Sequence, residues 1–335
     1  MCNDSRYTLL KHWITNNLGW QNADIQVASA DASFRRYFRV LHDHTSTIAM
    51  DAPPDKEDTR PFVDITHRLL NAGVHAPEII AEQTELGFLM LEDLGTTPYQ
   101  DRLNPQSADQ LYDDALQALL KLQKADTTGL PHYDGNLLYQ EMALMPQWFL
   151  GIHLNIHLST YQQNILEQCF QDIISNIEQQ STGFVHRDYH SRNLMCTPHN
   201  NPGIIDYQDA VKGPLSYDLV SLLRDCYIYW SDSQVTQWTL RYKKQASMAG
   251  VMPALSDDTF LKQFDLMGLQ RHIKVLGIFA RLKHRDNKPH YLNDLPLTLS
   301  YVLEIGKRHA ETRPLVKLFT ELKIADRIGT VEIPA

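Results

Sequence analysis

The first quarter of the chain alternates between apolar and polar residues with the short period of β-strands. Three such runs predict antiparallel strands at residues 25–28, 33–40 and 47–50, and a hairpin follows at 79–82 and 87–91. Helical spacing of apolar residues predicts a helix at 5–18 and another at 60–71, the latter ended by Gly73. The pattern therefore indicates a small antiparallel sheet with one main helix.

Beyond residue 105 the apolar positions recur every three or four residues, which is typical of amphipathic helices. Helices are predicted at 111–122, 137–149, 161–177, 216–230, 234–248, 257–285, 296–309 and 314–323. We therefore predict an α+β fold with a nucleotide-binding lobe at residues 1–94 and a mostly helical lobe at 95–335. The hinge between these lobes is expected at about residues 91–95.

Composition narrows the classes of function. The 335 residues are 43% hydrophobic and 21% charged, as in ordinary globular proteins. The formal net charge of −9 argues against a nucleic-acid partner. No run approaches the ~20 apolar residues of a membrane span, and the N-terminus lacks the pattern of a signal peptide. We therefore expect a cytoplasmic protein with no membrane partner.

The candidate chemistry is concentrated in two apolar-to-polar transitions. Phe184 and Val185 lead into His-Arg-Asp-Tyr-His-Ser-Arg-Asn, which places Asp188 five residues before Asn193. A second apolar pair leads into Asp206. The order His-x-Asp-x-x-x-x-Asn followed by Ile-Asp is the signature of protein-kinase-like phosphotransferases. A carboxylate that orients the attacking hydroxyl, with an amide and a carboxylate for magnesium, is the set that phosphoryl transfer needs.

With these motifs in place, the sequence resembles the aminoglycoside phosphotransferase family over nearly its whole length. Within that family it is similar to the anomeric kinases that phosphorylate N-acetylmuramate and N-acetylglucosamine at C1 in bacterial cell-wall recycling. Seven segments carry the closer resemblance: Ser-Phe-Arg-Arg-Tyr-Phe-Arg from 33, Met-Asp-Ala-Pro-Pro from 50, Leu-Glu-Asp-Leu-Gly from 91, His-Arg-Asp-Tyr-His from 186, Ile-Asp-Tyr-Gln-Asp-Ala from 205, Leu-Arg-Asp-Cys-Tyr from 223 and Arg-Leu-Lys-His-Arg-Asp from 281.

The resemblance implies a protein-kinase-like two-lobed fold, ATP (GTP not excluded) and Mg²⁺ as cofactors, and a small-molecule acceptor. It implies that Asp188 is the catalytic base and that Asn193 and Asp206 bind magnesium. His186 and Asp218 are expected to support the catalytic loop; for Asp218 a helix-start carboxylate is the alternative. The expected nucleotide-binding residues are Ser29, Ser33, Arg35, Arg36, Glu92 and Leu94.

Two departures from the kinase pattern affect the nucleotide site. No Gly-x-Gly-x-x-Gly is present, so the small residues 28–33 are expected to cover the phosphates. No lysine lies between Lys11 and Lys56, so the strand lysine of most kinases is missing. Arg35, Arg36 or Arg39 is expected to supply the charge, with Glu57 or Asp64 as its partner.

The acceptor is expected to contact Asp209, Arg224, Asp225 and Arg285, although an internal ion pair for Arg224 and a solvated helix end for Arg285 remain open. Other acceptors also remain open, namely an aminoglycoside or a choline-like or homoserine-like alcohol. A non-catalytic nucleotide-binding pseudokinase is a further alternative, motivated by the missing lysine.

Overall fold

The computed structural model describes residues 4–30 and 34–331, and the chain divides into two compact units. The first unit runs to Tyr99 and also contains Asn193–Asp209. The second contains Gln100–Arg192 and the chain from Ala210 onwards. The lobe boundary near residue 94 remains a prediction of the sequence.

A five-stranded antiparallel sheet forms the centre of the first unit. Its strands are β1 (Asp24–Ala30), β2 (Arg36–His42), β3 (Thr45–Asp51), β4 (Ile79–Gln83) and β5 (Phe88–Glu92). Their order across the sheet is β1-β2-β3-β5-β4. The predicted strands are present because their alternating residues bury one face, where Phe38, Val40 and Ala49 meet a helix.

That helix is α1 (Ser5–His12), which continues into a π-helical turn at Trp13–Asn17. Leu10, Trp13 and Ile14 pack against the sheet. The same helix brings Arg6 to Asp51, a fully buried carboxylate that also bonds to Arg36. A buried charge is costly unless it is paired, so these ion pairs fix α1 on the sheet.

The other helix of this unit, α2 (Arg60–Asn71), begins with a proline in its first turn and ends before Gly73, whose φ is +75°. Only glycine adopts this left-handed conformation readily, which is why the helix ends there. Thr66 on α2 hydrogen-bonds the hydroxyl of Tyr207 at 2.8 Å. This contact ties α2 to the segment that follows the short strands β7 (Leu194–Met195) and β8 (Gly203–Ile204).

The second unit is mostly helical. Its helices are α3 (Ala108–Leu122), α4 (Gly135–Met142), α5 (Thr160–Ile177), α6 (Ser216–Leu223), α7 (Asp232–Met248), α8 (Asp257–Asp286), α9 (Leu295–Gly306), α10 (Arg313–Glu321) and α11 (Ile324–Ile328). One strand pair, β6 (Thr182–Val185) with β9 (Val211–Pro214), is antiparallel. Across the described part of the chain, no helix has both the length and the apolar character that crossing a membrane requires.

Two predicted helices are shorter than expected. The helix predicted at 216–230 ends at Leu223, because Arg224 leaves the helical region and the Asp225 carboxylate accepts a hydrogen bond from the Tyr227 backbone at 3.1 Å. Such local side-chain bonds compete with helix formation. The helix predicted at 137–149 is divided into α4 and a π-helical segment, Met145–His153, which carries Pro146 in its first turn.

The close approach of α8 to the chain at Leu144 gives a first prediction. A Cβ at Gly277 would lie 2.4 Å from the carbonyl carbon of Leu144, so Gly277→Ala requires a backbone shift. We expect a loss of about 1–3 kcal/mol in the free energy of unfolding, measured by chemical denaturation. Gly268→Ala on the same helix is the control, since its Cβ would meet nothing closer than 3.4 Å. An equal loss in both variants would contradict this packing argument.

Candidate active site

The loop that holds Asp188 follows β6 in the second unit. His186 is fully buried, and its Nδ1 accepts a hydrogen bond from the Asp188 backbone N–H at 3.2 Å. The next turn is closed by the His190 N–H, which donates to the Asp188 carbonyl at 3.0 Å. These bonds hold the main chain on either side of Asp188, and they define the orientation of its side chain.

The carboxylate of Asp218, in the first turn of α6, binds the start of this loop. Its Oδ2 accepts from the His186 N–H at 2.7 Å, and its Oδ1 accepts from the Arg187 N–H at 3.0 Å. Burial is the main reason that the pKa of Asp218 is raised, to about 7. Both oxygens therefore face donors of the loop, while the helix holds the side chain in place.

Arg187 occupies a strained backbone conformation, with φ at +77°. A residue with a side chain pays about 1–3 kcal/mol for this region, so the surrounding contacts must hold it. The Arg187 guanidinium donates to the Glu141 carboxylate at 2.6 Å and lies over the Tyr133 ring. Glu141 also accepts from buried Lys274 at 2.8 Å. The ion pairs of Glu141 with Arg187 and Lys274 thus hold the loop in place at Arg187.

Charges in the same unit determine the state of Asp188. Burial raises the pKa of its carboxyl, but the charges of His190, Lys274, His186 and Arg271 oppose burial, and the net effect lowers the pKa. Asp188 is therefore ionised at neutral pH and can accept a hydrogen bond from a hydroxyl group.

Asp225 is also part of the loop structure. It is fully buried, and its Oδ2 accepts from the Ser191 N–H at 3.1 Å and from the Ser191 hydroxyl at 2.5 Å. Because its other oxygen accepts from the Tyr227 N–H, Asp225 joins the catalytic loop to the segment after α6.

Asn193 and Asp206 lie together in the first unit. The Ile205 N–H donates to the Asn193 carbonyl at 3.1 Å, and the Asn193 amide donates to Asp206 Oδ2 at 3.4 Å. Gln208 donates to the other oxygen, Oδ1, at 3.0 Å. Asp206 has φ at +65°, a conformation that aspartate tolerates better than most residues. A carboxylate and a side-chain amide thus meet where β7 begins and β8 ends.

The predicted nucleotide-binding residues that the structure describes lie in the first unit. Arg35 pairs with Glu57 at 3.1 Å, and both side chains are largely buried. Arg36 bonds instead to Asp51 and Asp4, and Arg39 to Asp93. The predicted alternative partner, Asp64, binds Arg68 within α2 at 2.9 Å.

At the end of β5, the Glu92 carboxylate accepts from the Glu78 N–H at 3.3 Å, and Leu94 is buried close to Gly203. Ser29 lies on β1, whereas Ser33 lies outside the described residues.

The predicted acceptor residues differ in their surroundings. Arg224 is buried and pairs with Asp265 at 2.7 Å, which is the internal ion pair that the sequence left open. Arg285 is exposed at the end of α8 and pairs with Asp286 at 2.9 Å. Asp225 accepts a hydrogen bond from Ser191 of the catalytic loop, and Asp209 is exposed in the first unit.

Sequence reasoning missed charged side chains that support the catalytic loop although they lie far from it in the sequence. Glu141, Lys274 and Arg271 are buried charged residues on predicted helices. The available signal was the presence of several charges inside the otherwise apolar helix α8, because buried charges need partners. It also missed Arg192, which lies one residue before Asn193.

Comparison with known proteins shows the family. Residues 24–255 match the model of the phosphotransferase enzyme family, APH. The chain belongs to this family. It is 42% identical to the N-acetylmuramate/N-acetylglucosamine kinase of Pseudomonas aeruginosa over 333 residues, covering 96% of this chain and 98% of that protein. It is 38% identical to the kinase of the same name from Neisseria meningitidis serogroup B, covering 95% of this chain and 96% of that one.

A solved structure shows the fold. ADP-bound aminoglycoside phosphotransferase APH(2'')-Ib superimposes with a TM-score of 0.59 at 14% identity, covering 89% of this chain and 97% of that one. The predicted α+β, protein-kinase-like two-lobed fold is confirmed, as is the predicted membership of this family of phosphotransferases.

The position of Asp218 generates a second prediction. Asp218→Asn leaves only one oxygen for two loop N–H donors, so we expect the variant to lose about 1–3 kcal/mol of stability and at least tenfold in turnover. Denaturation and steady-state rates measure these effects. Asp326→Asn on exposed α11 is the control for the loss of one carboxylate.

The pH dependence has a defined sign. The pKa of folded Asp218, about 7, exceeds the ordinary value of 3.8, so the folded state retains a proton that the unfolded state loses. The contribution of this proton to stability is complete below pH 4 and is lost as the pH rises to about 7. The difference in unfolding free energy between wild type and Asp218→Asn should change across this window. A constant difference from pH 4 to 7 would contradict the assignment.

Proposed function

We propose that this phosphotransferase uses ATP to phosphorylate the anomeric hydroxyl of an N-acetylated amino sugar, N-acetylmuramate or N-acetylglucosamine. The observation that carries the proposal is the 42% identity, over 96% of the chain, to a kinase named for these two sugars. The ionised Asp188 on a braced loop supports it, because a pseudokinase has no need of an oriented carboxylate. We propose cell-wall recycling in the cytoplasm as the setting; both the location and the role remain predictions from the sequence.

Asp188 is the proposed base. Its carboxylate accepts the hydrogen bond of the acceptor hydroxyl and orients the oxygen for in-line attack on the γ-phosphorus of ATP. The new O–P bond forms as the bond to the β,γ-bridging oxygen breaks, ADP leaves, and the hydroxyl proton passes to Asp188. Because the pKa of Asp188 is lowered, its main contribution is orientation, and the acidity of an anomeric hydroxyl favours such a weak base.

Magnesium is the implied metal, and Asn193 and Asp206 fit it. Both side chains carry an oxygen, the ligand atom that Mg²⁺ prefers, and they are adjacent, with the Asn193 amide nitrogen 3.4 Å from Asp206 Oδ2. In residues 4–30 and 34–331, no group of three or more His, Cys, Asp or Glu residues forms an all-protein metal site. The bound ion would neutralise charge on the ATP phosphates.

Arg35 is the proposed replacement for the missing strand lysine. Its ion pair with Glu57 resembles the lysine–glutamate pair of kinases in charge, whereas Arg36 is held by Asp51 and Asp4. An arginine retains its charge and offers a planar fork of donors, which suits phosphate oxygens. Glu57 would orient this fork.

The third prediction concerns the base. Asp188→Asn is expected to lower kcat by about 10²–10⁴-fold, because an amide cannot accept the proton. ATP binding, measured by calorimetry, should stay within about threefold of wild type, since Asp188 acts on the acceptor. Asp326→Asn is the matched surface control. Near-normal turnover in Asp188→Asn would contradict the proposed role.

The fourth prediction separates Arg35 from the other arginines. Arg35→Met should raise the KM for ATP by about 10–100-fold, which is the range for lost charge-assisted hydrogen bonds. Glu57→Gln should raise it less, and the double variant should resemble Arg35→Met if Glu57 acts through Arg35. Arg60→Met is the control, since Arg60 is exposed and its ion pair is with nearby Asp58. An unchanged KM in Arg35→Met would refute the assignment.

A further inference from the structure

Arg192 presents a fixed and accessible guanidinium in the second unit. Its Nε donates to the Gln100 side-chain oxygen at 2.7 Å, and its central carbon lies 3.4 Å from the centre of the Tyr227 ring. These contacts hold the plane of the guanidinium over the ring, as expected for stacked arginine. Its two terminal nitrogens make no hydrogen bond or ion pair with any residue that the structure describes. The side chain is exposed, so these donors face a region that a ligand can enter.

This guanidinium lies in the same unit as the proposed base and is connected to it by a series of contacts. The edge of the Tyr227 ring meets His190, with ring centres 5.5 Å apart. His190 is in turn bonded through its N–H to the Asp188 carbonyl at 3.0 Å. Asp188, His190, Tyr227 and Arg192 therefore form a continuous row within one unit. This row of contacts connects the proposed base to the Arg192 guanidinium.

Among the described residues, no nearby carboxylate forms an ion pair with Arg192. Asp294 precedes α9 and is half-buried, and burial raises the pKa of its carboxyl although the charge of Arg192 opposes this. No ion pair joins Asp294 to Arg192 within 4 Å among the described residues. Arg224 and Arg285, the cations that the sequence put forward, are bound to Asp265 and Asp286. Arg192 thus remains available for an anionic ligand.

We propose that Arg192 is a specificity-determining residue that binds a carboxylate of the acceptor. This inference rests on the proposed function and names the group recognised: the lactyl carboxylate by which N-acetylmuramate differs from N-acetylglucosamine. Two terminal nitrogens of one planar guanidinium match the two oxygens of a carboxylate, and Gln100 and Tyr227 set the plane in advance. The neutral sugar gains nothing from this contact, so Arg192 sets the preference between the two acceptors.

The test compares kcat/KM for N-acetylmuramate and N-acetylglucosamine in wild type and in Arg192→Gln. We expect kcat/KM for N-acetylmuramate to fall about tenfold or more, while the value for N-acetylglucosamine changes less than about threefold.

Arg192→Lys should give an intermediate ratio of the two kcat/KM values, because lysine keeps the positive charge but lacks the planar pair of donors. Tyr227→Leu should reduce the ratio through loss of the ring that positions the guanidinium. Arg241→Gln on α7 is the control for a lost positive charge in the same unit.

Several outcomes would overturn the proposal. Equal losses on both sugars, or a tenfold rise in the KM for ATP, would show that Arg192 acts on the phosphates or on the loop. Unchanged values for both sugars would show that it acts on neither. Melting temperatures of the variants check that the fold is retained.

Failure of the proposed function is recognised separately. If wild type phosphorylates neither sugar, the proposed function is wrong. In that case, calorimetry measures the affinity of both sugars for wild type and for Arg192→Gln, and these affinities test the proposed role of Arg192. A preference for N-acetylmuramate that disappears in the variant supports it, and the absence of any preference in wild type refutes it.

Discussion

The hydrogen bonds between one buried carboxylate and two successive backbone N–H groups are the constraint on which the candidate site depends. Asp218 accepts from His186 and Arg187, and these bonds help to hold Arg187 in its left-handed conformation. That conformation turns the chain so that Asp188 follows a buried strand yet carries its carboxylate in a polar environment. Burial makes the charged form of Asp218 costly, which is why its pKa is raised, and the loop geometry is what the protein gains from placing it there.

Helix α8 extends this principle through the second unit. It carries Asp265, Arg271 and Lys274 into the interior, where each meets an oppositely charged or polar group of another element: Arg224, Cys226 and Glu141, respectively. A purely apolar helix would pack as well and be at least as stable. The charged side chains of α8 fix the position of this helix against its neighbours more strictly, because each ion pair can form in one register only. The loop around Asp188 is thus held by directional bonds as well as by packing.

The strands and helices could be predicted because their residue patterns are periodic. Several of the polar side chains that hold the catalytic loop could not be predicted. Strands β2 and β3 and helix α2 follow from local alternation and from Gly73, because these signals act within a few residues. The end of α6 at Leu223 was missed, since it depends on the side chain of Asp225 bonding to distant Ser191 as well as to its own segment. Asp188, Asn193 and Asp206 were found by their spacing. Glu141, Lys274 and Arg192 have no such spacing, because their partners are set by tertiary contacts.

The N-terminal helix α1 has a consequence for how the first unit is handled in the laboratory. Arg6 from this helix and Arg36 from β2 share the fully buried carboxylate of Asp51. Removing the first eighteen residues would uncover one whole face of the sheet and leave Asp51 with half of its compensating charge. A shortened protein would then tend to self-associate through that face. The segment before the first strand is consequently an integral layer of the unit, and affinity tags are better fused at the other end of the chain.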